Sequence, residues 1–322
     1  MTDSFSNAGA WAPWLVFAVL VGGMLAIDLG VAHRKAHTPT RREAVTWTVV
    51  WVALSLAFNA GIYVTQGTTA GLEWTTGYLI EKSLSVDNVF IFLLIFSSLS
   101  VPSQYQHRVL FWGILGALVM RGSLIFAGAA LLERFHWVIY FFGGLLVVTG
   151  IRFLRDTQHT PSVRDSRVLQ FAKRHLRTID GFEGARFFVR KNGVTYATRL
   201  FLALVLVETT DLIFAVDSIP AIFAVTDDPF IVLTSNVFAL LGLRAMYFVL
   251  GGYLGELKYL KPALAAVLIF VGMKMLAAEA VHIHPLVSLL VIVGILAVAI
   301  AASVRALRLE REEEAALLAP PD

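Results

Sequence analysis

The sequence predicts an all-α, polytopic transmembrane bundle of about nine helices that contains two inverted three-helix repeats. Three observations carry this reading: a composition too apolar for water, a series of apolar stretches of membrane length, and an acidic motif that occurs twice. Of the 322 residues, 57% are hydrophobic and 15% charged, whereas soluble domains carry roughly 25% charged residues. The mean hydropathy is +0.74 and the isoelectric point is near 9.2. That basicity could suit a nucleic-acid binder, but the Lys and Arg residues gather in loops beside apolar runs, the distribution that fixes membrane orientation. Nucleic acid is therefore not expected as a partner, and the lipid bilayer is. Cysteine is absent, which removes disulfides, iron–sulfur clusters and thiolate metal sites and leaves oxygen and imidazole as ligands for any metal.

Apolar stretches of about 20 residues fall near 14–32, 45–64, 76–98, 108–130, 136–154, 199–225, 231–251, 262–280 and 284–304. The first lacks a preceding basic segment and an Ala-x-Ala cleavage site, so it reads as a retained span. The loop after it, 33–42, is basic, and the loop after the second, 65–73, has no Lys or Arg. Residues 152–199 carry eleven Lys and Arg. The positive-inside rule then puts the N-terminus outside and this long segment in the cytoplasm. Asp227 and Asp228 follow the sixth stretch on the outside, and Lys258 and Lys261 follow the seventh on the inside. Trp11, Trp14, Trp47, Trp74 and Trp137 lie near the expected interfaces and read as belt anchors.

The chain divides into two N-terminal helices (1–75), a first three-helix unit (76–154), a basic cytoplasmic insert (155–198), a second unit (199–280), and a last helix with a charged, solvated tail (281–322). Within the insert, Lys191-Asn192-Gly193 is flanked by apolar and β-branched residues and predicts a hairpin turn. The insert is expected to be short and ordered, orienting the two halves.

The repeat is read from residue matches. Glu81 and Asp87, six apart, match Asp211 and Asp217; Arg121 matches Arg244; each Arg is followed twelve residues later by a Glu, Glu133 and Glu256. Gly150 and Arg152 match Gly272 and Lys274. An odd number of helices per unit makes the second enter the membrane from the opposite side, an arrangement of secondary transporters whose site lies near the midplane.

A carboxylate at the centre of a membrane helix costs roughly 2.5 to 3.5 kcal/mol on insertion scales and needs a cation, a proton or a partner. At 100° per residue, Glu81, Ser85 and Asn88 lie within about 60° of one another, as do Asp211, Ala215 and Ser218. Glu208 extends the second stripe by nearly a turn. Pro220 cannot donate to the Val216 carbonyl, so the helix is expected to open there and offer that oxygen beside Asp217. The candidate cation ligands are Glu81, Asp87, Asn88, Glu208, Asp211, Asp217 and Ser218. This hard-oxygen set suits Mn²⁺, Mg²⁺ or Ca²⁺. The plain alternative is that the acids only glue helices together through Arg121, Arg244 and Lys274; against it, the acids Glu81, Asp87, Glu208, Asp211 and Asp217 outnumber these bases by two. Asn236 reads as a helix-to-helix hydrogen bond. Asp28 reads as an interfacial charge, and His136, His282 and His284 as wettable boundary.

The stretches 78–90, 105–116 and 210–226, with 228–236, closely resemble the TerC/Alx family of bacterial integral membrane proteins. The resemblance runs from about Asp28 to the eighth span and leaves out the tail beyond about Val304. It implies metal ion homeostasis, chiefly export of manganese from the cytoplasm, in a bacterial inner membrane; the loop charges put the C-terminal tail inside. Some members of the family are thought instead to supply manganese to proteins being secreted, which would imply partners at the secretion machinery, and the family name comes from tellurium resistance. The expected activity is therefore transport of a divalent cation by alternating access, with no resident cofactor and no enzymatic reaction, and with opposed proton movement through the spare carboxylates. An intramembrane aspartyl protease built on Asp87 and Asp217 lacks a Gly-x-Gly-Asp context and gives Glu81, Glu208 and Asp211 no role. An acid-lined path would repel tellurite.

Overall fold

In the computed structural model, the described residues are 8–32, 40–135, 137–155, 167–179, 181–250, 259–278, 280 and 283–318. They form an all-α membrane bundle with one small hairpin. Helices α1 (Ala8–Ala32), α2 (Arg41–Gln66), α3 (Thr68–Ser98), α4 (Ser103–Arg134) and α5 (Val138–Arg155) precede the insert. The insert contains α6 (Arg167–His175), β1 (Phe188–Lys191) and β2 (Val194–Ala197). Then come α7 (Arg199–Phe223), α8 (Pro229–Leu241), α9 (Leu243–Leu250), α10 (Leu260–Leu276) and α11 (Pro285–Leu318). Among the described residues, α2, α4, α5, α11 and the α8–α9 segment are long and apolar enough to cross a membrane, and the apolar parts of α1 and α10 are shorter. Helices α3 and α7 match them in length, at 31 and 25 residues, but carry Glu81, Lys82 and Asp87, and Glu208, Asp211 and Asp217.

Local sequence sets the ends. Thr40 and Glu43 form a reciprocal capping box that starts α2. Gly67, at φ 92°, breaks α2 from α3 without a loop, a conformation that side chains disfavour. Asp228 caps α8, accepting the Phe230 N–H at 2.8 Å, and Pro229 occupies the first turn, where its missing N–H is no loss. The hairpin turn lies where expected: Asn192 (φ 51°) and Gly193 (φ 78°) are both left-handed, and Phe188 to Lys191 pairs antiparallel with Ala197 to Val194, as a primed turn requires. The insert is docked: Leu169 and Ala172 of α6 are buried with Leu99, Val101 and Leu200, and Arg108 of α4 lies over the Phe187 ring at 5.2 Å. On its surface the Lys191 ammonium, bonded to Glu183, holds that carboxyl below its usual range.

Two apolar clusters fill the bundle. One gathers Phe58, Trp74, Phe230 and Phe238, the other Phe92, Phe96, Leu110 and Leu200 toward the insert. On α4 the first holds Ile125 and the second Ala117; on α7 they hold Ala215 and Val207. On α4 and α7, Arg121 and Asp211 fall in the gap between the two clusters, whereas Glu81 of α3 lies between Ile80 and Leu84, both of the first cluster. Trp74 corrects an expectation: it is no belt anchor but fully buried, stacked on Tyr78 at 5.2 Å and donating from Nε1 to Thr234 Oγ1 at 3.0 Å. Trp11 and Trp137 are more than half exposed, as a membrane-interface role demands.

Helices α5 and α10 approach through glycine. A Cβ on Gly272 would stand 2.8 Å from the Gly143 carbonyl oxygen, and one on Gly150 would stand 2.8 Å from that of Ala265. Only residues without side chains allow backbones this close.

Candidate functional site

A charged cluster is built from four helices. Arg121 of α4, 1% exposed, reaches across to Asp211 of α7 with Nε to Oδ2 at 3.0 Å and Nη2 to Oδ1 at 2.8 Å. Its Nη1 forms a second ion pair, with Glu81 of α3, and also donates to Ser218 Oγ at 3.2 Å and Asn236 Oδ1 at 3.4 Å. Asn236 of α8 donates from Nδ2 to Glu81 Oε2 at 3.0 Å. Glu81, Asp211, Ser218 and Asn236 are each at most 2% exposed. The planar fork of a guanidinium suits this geometry, since it can serve two carboxylates and two neutral oxygens at once. Two carboxylates share one guanidinium, so with all three ionised the cluster keeps one formal negative charge in a medium that opposes charge.

Of the residues expected to bind a cation, Glu81, Asp211 and Ser218 meet here. The others lie elsewhere. Asp217, half-buried, accepts from Thr149 Oγ1 of α5 at 3.0 Å. Glu208 lies over α4, its Oε1 only 2.0 Å from where a Cβ on Gly116 would stand. Asn88 is fully buried, and among the described residues neither Nδ2 nor Oδ1 has a hydrogen-bond partner; the same is true of Ser85 Oγ one turn earlier. The side chains of Asp87 and Asp28 lie outside the described ones, as do residues His136 and His282. His284 Nδ1 accepts the Leu286 N–H at 3.2 Å, at the start of α11. Among the described residues no group of three or more His, Cys, Asp or Glu is arranged to hold a metal ion; the two central acids, Glu81 and Asp211, are both paired with Arg121.

The expected opening at Pro220 is not found. Helix α7 runs unbroken to Phe223 with Pro220 buried inside it; a proline removes one helical hydrogen bond, and close to a helix end the chain tolerates that loss. The broken helix is its neighbour. Between α8 and α9 the chain turns at Gly242, and Lys82 Nζ donates to the Ala239 carbonyl at 3.2 Å, satisfying an oxygen that the break releases. Lys82 stands beside Glu81 in the first motif and was missing from the count of bases; including it cuts the excess of acids from two to one. Thr149, the partner of Asp217, carried no signal, since a lone Thr in an apolar helix usually bonds its own backbone. Arg244, matched to Arg121 in sequence, reaches His107 Nε2 at 2.9 Å.

A multi-pass membrane bundle with two buried carboxylates around one guanidinium at the junction of its helices defines an integral membrane protein. The model of the integral membrane protein TerC family matches residues 66–311. An uncharacterized membrane protein of Myxococcus xanthus is 51% identical over 301 residues, 94% of each chain. A protein of Escherichia coli K12 named "Putative membrane-bound redox modulator Alx" is 50% identical over 292 residues, 88% of this chain and 91% of the relative. A membrane protein of Rickettsia bellii is 38% identical over 291 residues, 90% and 96% of the two chains. No solved structure matches the chain. The chain belongs to the TerC family, and the acidic motifs of α3 and α7 both lie inside the matched region.

Proposed function

We propose that this protein exports a divalent cation, Mn²⁺ foremost, across the bacterial inner membrane by alternating access. The observation that carries the reading is the cluster of Glu81, Asp211 and Arg121: two buried carboxylates from different helices, one guanidinium between them, and a charge left over. In this reading Arg121 stands in for the cation in the state described above. Cation entry displaces the guanidinium from one or both acids, and Ser218 and Asn236 then turn their oxygens to the ion. Asn88 and Ser85, buried on the Glu81 face of α3 without hydrogen-bond partners among the described residues, together with Glu208, Asp87 and Asp217, supply polar groups along the path. Carboxylate, amide and hydroxyl oxygens suit Mn²⁺. The leftover carboxylate carries the opposed proton.

Packing supports the inverted repeat that alternating access requires. Helix α3 packs on α8 as α7 packs on α4, and α5 packs on α10. With Gly150 matched to Gly272, Gly143 matches Ala265, so the close approaches of Gly143 to Gly272 and of Gly150 to Ala265 are one contact seen from both sides. On this reading the insert is cytoplasmic and the N-terminus outside. We read the chain as a transporter without enzymatic activity. The redox term in the name of the Escherichia coli relative has no thiol to act through here, because the chain has no cysteine.

The deciding experiment is manganese flux in proteoliposomes with a pH-sensitive dye inside. Manganese movement coupled to an opposed pH change is expected, and it should be lost in Glu81→Gln and Asp211→Asn. Robust binding of manganese with no flux would favour a role in handing metal to secreted proteins.

A further inference from the structure

The hairpin of the insert presents a face that the bundle does not cover. Side chains alternate along a strand, so Phe188 and Arg190 share one side of β1 while Val189 between them is buried. Phe188 is 48% exposed, yet its ring packs on Phe201 in the first turn of α7 at 4.4 Å. At 100° per residue, Phe201 lies within about 20° of Leu212 around α7, and Leu212 and Val216 are exposed. In a membrane-spanning bundle these residues form the lipid-facing flank of α7. Phe188 therefore continues that flank past the helix end, at the level where the span gives way to the insert.

The charge at this level is basic. Residues 181–198 carry Arg186, Arg190 and Lys191 against Glu183 alone. Lys191 is bonded to Glu183 at 2.6 Å, while Arg186 and Arg190 are exposed and form no salt bridge among the described residues. Arg190 Nε donates to the Gly193 carbonyl at 3.3 Å, which steadies the guanidinium beside the turn and leaves its other N–H groups for an outside acceptor. An aromatic ring at the foot of a lipid-facing helix, flanked by guanidinium groups, matches a membrane interface: the ring sits at headgroup depth and the arginines take phosphate oxygens.

We propose that this face of the hairpin binds the anionic phospholipid headgroups of the adjacent leaflet, with Phe188 at the acyl boundary and Arg186 and Arg190 on the phosphates. Continuity with the α7 flank favours lipid over a soluble partner, whose docking would need the face turned away from the bilayer. The proposal is independent of what the bundle transports.

Because the chain has no native cysteine, Phe188→Cys carries a nitroxide label as the sole labelled site. The full chain is placed in nanodiscs of phosphatidylcholine alone or mixed with phosphatidylglycerol, and collision of the label with oxygen is compared with collision with a water-soluble nickel chelate. A second label at Thr195→Cys, opposite Arg190 in the hairpin register and exposed, reads the same face if Phe188 proves necessary for folding. In anionic bilayers the oxygen-to-chelate ratio is expected to rise several-fold over that in phosphatidylcholine, and the double variant Arg186→Gln/Arg190→Gln should abolish the rise. Labels that favour the chelate in every bilayer would overturn the proposal and leave the face to water or a soluble partner. An equal preference for oxygen in both bilayers would overturn the assignment to anionic headgroups.

Discussion

Arg121 and Asp211 meet in a two-pronged pair, Nε to Oδ2 and Nη2 to Oδ1, at 3.0 and 2.8 Å. The two residues come from helices on opposite sides of the insert, so a buried ion pair joins the two halves of the chain. Glu81 and Asn236 complete it, one from each half. Pairs of this kind add little net stability when intact, because desolvation offsets attraction, but losing one partner leaves a charge buried alone.

Arg121→Gln is expected to lower stability by about 3 to 5 kcal/mol, seen as a lower unfolding midpoint of the purified protein. If Arg121 stands in for a cation, Mn²⁺ should raise the midpoint more in this variant than in the parent. Equal effects in both would count against that role.

Asp211 and Asp217 are six residues apart in one helix yet face different surroundings. In cells challenged with manganese, Asp211→Asn should lose resistance while the amount of protein in the membrane stays the same. Asp217→Asn, at a half-buried residue bonded to Thr149 and not to Arg121, should retain more resistance than Asp211→Asn. Reversal of that order would move the site toward α5.

Neighbouring glycines in α5 give a clean contrast. A Cβ on Gly143 would lie 2.9 Å from Leu276 and 3.1 Å from the Gly272 carbonyl, whereas one on Gly144 meets nothing within 4 Å. Gly143→Ala should destabilise by about 1 to 3 kcal/mol through overpacking. Gly144→Ala should be neutral or slightly stabilising, since alanine is the better helix former by about 1 kcal/mol. Thermal unfolding of the two variants side by side checks both.

Trp74→Phe keeps an aromatic ring but removes the N–H bonded to Thr234 and shrinks a fully buried side chain. A loss of about 2 to 3 kcal/mol is expected from the lost hydrogen bond and the cavity together. The same change at exposed Trp137 should fall within about 0.5 kcal/mol.

Much of this architecture was legible because membrane helices announce themselves by length and hydropathy, and because Asn192-Gly193 admits few turns other than the one found. Glu81, Asp211, Arg121 and Asn236 stood out for the same reason: polar groups in apolar runs must find partners. What stayed hidden depends on which way a residue faces its neighbours. Trp74 sits near a helix end, where tryptophans usually mark the interface, but only packing shows it turned inward to Thr234. Pro220 suggested a break by its chemistry, yet α7 absorbs it near its end, while Gly242, one glycine among 24, marks the turn that Lys82 stabilises. The six-residue spacing already turns Asp217 about 120° away from Asp211 around α7, but its partner on α5, Thr149, was hidden.

The meeting of α5 and α10 limits how the protein can rearrange. At Gly143 and Gly272 it is main chain that touches main chain, so no rotamer can yield and the helices cannot be pressed closer. A rearrangement that parts Glu81 from Asp211 can pivot about this seam, slide along it or open it, but it cannot tighten it. The separation of the two helices here is already set by the thickness of a bare polypeptide.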